Sequence, residues 1–148
     1  MNNRQRGFSL VEVLITLVIM SVGMLGIAGL YVQSMQAGRT SMFRHNAVTL
    51  AGDVADRIRA NPGAGIAYAA PNGANNNCVN GGVDCSPAQM AAHDILQWKN
   101  QAIDTLPAGD VLIVFDNSVI PPTYQITISW DEPGENLSYV VTIPVLNF

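Results

Sequence analysis

From Phe8 to Val32 the chain runs for 25 residues with a single formal charge, Glu12. As a helix rising ~1.5 Å per residue, such a run spans roughly 37 Å, enough to cross a ~30 Å hydrocarbon core. The h-region of a secretory signal is only ~7–15 residues long and is followed by a small-residue cleavage site. Here the run is too long, and its nearest approach to such a site, Met35-Gln36-Ala37, is a poor one. A carboxylate near its start is also foreign to an h-region. The expectation is a helix that stays in the membrane.

The chain divides around this run. Residues 1–7 are short, polar and basic, with Arg4 and Arg6. Residues 8–32 are lipid-compatible, residues 33–60 continue the helix in amphipathic form, and residues 61–148 make a polar, water-soluble domain. Beyond residue 32, five basic residues (Arg39, Arg44, Arg57, Arg59, Lys99) face ten acidic ones. That acidic balance leaves no basic patch for nucleic acid, which is not expected as a direct ligand. Arg57 and Arg59 read as a solvated helix end complementing the dipole.

Glu12 requires an explanation, because a carboxylate at bilayer centre costs on the order of 3 kcal/mol. One account is that it lies four residues inside the apolar boundary and reaches the headgroups. The other is that cleavage between Gly7 and Phe8 creates an ammonium at a similar depth. If that ammonium belongs to a neighbouring subunit, two desolvated charges neutralise each other.

Gly7-Phe8-Ser9-Leu10-Val11-Glu12, behind a basic leader and ahead of an unbroken apolar helix, resembles the class III signal of type IV pilins and pseudopilins. The resemblance implies cleavage after Gly7 by a prepilin peptidase, N-methylation of the new Phe8 amine, and a role for Glu12 in recruiting and registering the subunit. It also implies a cytoplasmic leader and an exported body, which flanking charge barely decides. Inner-membrane residence would precede assembly into a surface pilus. The partners implied are other major and minor pilins, the prepilin peptidase, the inner membrane and the pilus assembly platform. Cys85-Ser86-Pro87-Ala88-Gln89, Asp94, Trp98, Leu106-Pro107 and the strand Tyr124 to Trp130 further resemble the type IV pilus modification protein, a PilV-type minor pilin.

After Val32, Met35, Met42, Ala47, Leu50 or Ala51, Val54 and Ile58 recur near helical spacing, and Asn61-Pro62-Gly63 ends the helix. Gly23, Gly26 and Gly29 either let helices approach closely or weaken the helix locally. Residues 61–86 read as an irregular Gly/Asn/Ala-rich connection. Cys78 and Cys85, an even pair in an exported chain, point to a disulfide stapling it, and two thiols alone under-coordinate zinc.

Ser86-Pro87-Ala88-Gln89 carries the capping-box pattern for a second helix with the stripe Ala91, Ile95, Trp98, Ala102 and Leu106. Trp98 reads as a core anchor. Val111 to Asp116, a near-continuous apolar run, predicts a strand covered on both faces. Tyr124 to Asp131 and Leu137 to Val145 alternate, with a hairpin at Glu132-Pro133-Gly134-Glu135. The predicted fold class is α+β: a long N-terminal helix, transmembrane then amphipathic, packed on a small antiparallel pilin-like sheet.

His45 and His93 have no partner constellation in the sequence, and no phosphate loop, nucleophile elbow or metal cluster is present. The reading is a non-enzymatic minor pilin without cofactor or metal, acting in pilus assembly or priming. The alternatives are a type II secretion pseudopilin and a membrane-anchored adhesin that never polymerises.

Overall fold

Two units divide the chain of a computed structural model that describes residues 7–79 and 82–145. The leader residues 1–6, with Arg4 and Arg6, and Gly81 of the predicted connection lie outside the described residues. The first unit ends at Arg39 and the second runs from Thr40 to Phe148. Helix α1, Leu10–Ala60, contributes to both. Its start falls two residues after the predicted Phe8.

In the first unit every described residue is exposed, so its apolar side chains have no cover from this chain. The helix is long and apolar enough to cross a membrane. Ser21 donates its hydroxyl hydrogen to Leu17 O at 2.6 Å, which keeps a polar side chain tolerable in lipid.

The second unit carries the core. Ala47, Leu50, Ala51, Val54, Ala55 and Ile58 of α1 are buried, in the predicted register, whereas Met35 and Met42 are exposed. The helical period thus extends beyond the part of α1 that has something to pack against. Pro62 ends α1 because it cannot continue the hydrogen-bond ladder. A 3-10 helix, Pro62–Ala69, follows where an irregular segment was expected. Its Tyr68 is completely buried.

Helix α2 spans Pro87–Thr105. Both halves of its capping box form: the Gln89 N–H donates to Ser86 Oγ, and the Ser86 N–H donates to Gln89 Oε1. Ala91, Ile95, Trp98, Ala102 and Leu106 are buried, as the stripe predicts. Gly73 lies flat against this helix. A methyl group there would strike the backbone of Ala92 and Leu96, and the next peptide N–H, of Ala74, donates to Ala92 O at 2.8 Å.

The sheet has the order β1-β2-β3 and is antiparallel throughout, with β1 Asp110–Asp116, β2 Thr123–Glu132 and β3 Glu135–Pro144. Tyr124, Ile126, Ile128 and Trp130 of β2 are buried, matching the alternation. Leu137, Tyr139, Val141 and Val145 are half-buried against the core and Ile143 is buried, as expected of an edge strand. Pro133 and Gly134 form the turn, with Gly134 at φ 96°, a conformation open to glycine.

β1 departs from expectation. Val111 and Ile113 are buried, but Leu112 and Val114 are 52% and 44% exposed. An unbroken apolar run carries no record of which face is covered. Here no described element lies over the outer face.

Candidate functional site

Gly7, Phe8 and Ser9 precede the helix. The Ser9 carbonyl accepts from the N–H groups of Glu12 and Val13 at 3.0 and 3.3 Å, so Ser9 opens the first turn. Glu12 then falls in that turn, where a carboxylate complements the positive end of the helix dipole. Its own carbonyl accepts the Thr16 hydroxyl at 2.6 Å, and its carboxylate has no partner among the described residues. Phe8 is 85% exposed. A methyl on Gly7 would meet nothing within 4 Å among the described residues, so none of them demands glycine there. The same is true of Gly23, Gly26 and Gly29.

This stretch therefore presents a non-helical, accessible Gly7-Phe8 peptide, a carboxylate in the first turn of the helix, and an apolar surface that no described residue covers. Such a surface has lipid or other helices as its natural cover. The sequence matches the prokaryotic N-terminal methylation motif over residues 2–28 and the Tt1218-like family, described as type IV pilin Tt1218, over residues 29–96. The chain is type IV pilin-like. No curated protein and no solved structure gives a significant match. As a pilin-type subunit it has a structural rather than an enzymatic role, and its apolar helix fits a membrane anchor. The family implies contact with other pilins and processing by prepilin peptidase.

In the second unit of this pilin-like chain, Cys78 and Cys85 are joined by a disulfide, with Cα atoms 5.7 Å apart. They sit far along the sequence from Gly7, Phe8 and Glu12, and in the other unit. The pair staples the segment between the 3-10 helix and α2.

A polar network that sequence reasoning missed lies between α1, the 3-10 helix and α2. Asp94, only 3% exposed, accepts from Arg57 Nη1 and from the Tyr68 hydroxyl, each at 3.1 Å. Asn61 Nδ2 donates to Tyr68 Oη at 3.1 Å and to Pro87 O at 2.9 Å. Arg57 also pairs with Asp53 at 3.1 Å, and Asp53 accepts from Trp98 Nε1 at 2.8 Å. The Tyr68 and Trp98 rings pack with centroids 5.8 Å apart. Arg57 is thus a lock on a buried carboxylate rather than a solvated helix end, while Arg59 pairs with Asp56 at the surface.

Two signals for this lay in the sequence. Asp53 and Arg57 are spaced i, i+4, and Asp94 lies three residues from Ala91 on the buried stripe. Burial pushes the Tyr68 phenol well above its usual range; the Asn61 amide opposes this and the Asp94 carboxylate adds to it. Burial likewise raises the Tyr124 phenol, whose hydroxyl donates to Gly65 O.

His45 is exposed on α1. His93 is buried, with Nε2 2.9 Å from Gln97 Nε2, and its Nδ1 finds no partner among the described residues.

Proposed function

We propose that this pilin-type subunit is a minor pilin of the PilV type that takes part in assembling or priming a type IV pilus. Prepilin peptidase cuts between Gly7 and Phe8, and the Phe8 amine is N-methylated. The body is exported while residues 8–32 hold the subunit in the inner membrane. Assembly on the pilus platform then packs this helix among those of major and minor pilins, and Glu12 sets the register by pairing with a neighbour's Phe8 ammonium.

One observation carries the reading. Glu12 is the lone charge on an apolar helix face, half a turn inside the helix start and beside an accessible Gly7-Phe8 peptide. A carboxylate taken out of water stabilises an assembly only when a cation meets it. A glycine that no described residue requires fits a peptidase pocket as its reason for being glycine. The Cys78–Cys85 staple and the Trp98 region favour a pilus over a secretion pseudopilus.

Intact-mass and N-terminal analysis of protein from the native membrane tests this. The expected mature chain starts at methylated Phe8. A chain retaining Met1, or starting near Gly38, defeats the reading and favours a signal-anchored adhesin that never polymerises.

A further inference from the structure

The third strand of the sheet has a free edge. Among the described residues β3 pairs only with β2, while α2 and the 3-10 helix lie against β1 on the opposite side. Which backbone groups are unused follows from the antiparallel alternation. The Asp131 N–H donates to Pro107 O at 2.9 Å and so faces away from β3. The Val145 N–H donates to Pro122 O at 2.7 Å and so faces towards β2. Between these points the two-residue turn joins Glu132 to Glu135, and every second pair from there exchanges hydrogen bonds. Asn136, Ser138, Val140 and Thr142 therefore turn their N–H and C=O groups to the open edge.

Edge strands are commonly defended by charge, proline or a bulge. β3 has Glu135 as its first residue and Pro144 as its last, with no charged residue between them. Beside it runs a groove of about 390 Å³ lined by Arg44, Val48, Trp130, Leu137, Ser138 and Tyr139. Its wall is apolar and its one cation, Arg44, is exposed with no carboxylate partner among the described residues.

We propose that this edge and groove receive an extended, acidic-apolar segment of another exported protein as a fourth strand. Its main chain would bond to Ser138, Val140 and Thr142. Its alternate apolar side chains would rest on Val48, Leu137 and Tyr139, and a carboxylate would meet Arg44. Charge complementarity favours this occupant over a second copy of the chain. An antiparallel pairing of two β3 edges about Tyr139 sets Val141, Val140 and Tyr139 of the second copy opposite Leu137, Ser138 and Tyr139. None of them offers a carboxylate to Arg44.

The probe is a labelled peptide of sequence Asp-Thr-Val-Thr-Val-Thr, whose Asp and both Val residues share one face of the strand, titrated by fluorescence anisotropy against the full chain in detergent micelles. Saturable binding is expected, weakened about tenfold when Asp in the peptide is replaced by Lys. Val140→Lys, on the exposed face, weakens binding by a similar factor by charging the edge. Arg44→Glu, also at an exposed position, reverses the preference so that the Lys peptide binds better. Absence of saturable binding overturns the proposal, as does binding that both variants leave unchanged. Concentration-dependent dimerisation that Val140→Lys abolishes, without peptide binding, would assign the edge to a second copy instead. None of these outcomes depends on how the N-terminus is processed.

Discussion

Arg57 Nη1 lies 3.1 Å from Asp94 Oδ1, tying the last turns of α1 to the buried face of α2. The Arg57 side chain is 41% exposed whereas that of Asp94 is 5% exposed, so the two partners do not lose equally when the pair is broken. Arg57→Ala leaves a carboxylate buried with only the Tyr68 hydroxyl, at a cost of about 3 kcal/mol. Asp94→Ala frees an arginine that still reaches Asp53 and water, and costs roughly 1–2 kcal/mol. Denaturant unfolding in micelles should show this order, and the double variant should cost less than the two singles together.

Tyr68 makes stability fall in alkali. Its folded-state pKa lies above the ordinary value of 10.0, first because the phenol is buried and also because the Asp94 carboxylate stands beside it. The contribution of the neutral phenol is fully present below pH 10 and is lost as pH rises through the folded-state pKa, since the unfolded chain releases its proton first. Thermal midpoints should therefore drop above about pH 10. Tyr68→Phe should flatten part of that drop, with Tyr124, raised by burial, accounting for a further part.

Trp98 combines a buried ring with one donated hydrogen bond to Asp53. Trp98→Phe keeps most of the apolar volume and should cost roughly 1–3 kcal/mol, while Trp98→Ala opens a cavity and should cost roughly 3–5 kcal/mol. Chemical unfolding of both variants separates the two contributions.

Gly73 tolerates no side chain where it stands, because a methyl group meets the α2 backbone at Ala92 and Leu96. Gly73→Ala should push the segment off the helix, break the Ala74–Ala92 hydrogen bond and cost roughly 1–3 kcal/mol. Hydrogen exchange at the Ala74 amide should rise. Gly82→Ala, with no described residue within 4 Å of the added methyl but at φ 61°, tests backbone strain.

The Cys78–Cys85 disulfide closes a short loop, for which chain entropy gives a contribution of roughly 2–3 kcal/mol. The double Cys78→Ser, Cys85→Ser variant should melt earlier by that amount while Trp98 and Trp130 fluorescence stays native below the transition. Their contacts belong to the core rather than to the stapled segment.

Periodicity and capping chemistry wrote much of this protein into its sequence. The lone acid in an apolar run, the stripe from Ala91 to Leu106, the Ser86–Gln89 capping box and the alternation of β2 are local patterns that need no knowledge of what lies across from them. Other features exist only once the chain is folded. Whether Leu112 and Val114 are covered depends on a layer that the described residues do not supply, so an apolar run alone misjudged β1. Tyr68 and Asp94 became partners because the 3-10 helix folds back beside α2, across 26 positions in sequence. Burial and electrostatic pairing are properties of what surrounds a residue, and only the tertiary structure brings those surroundings together.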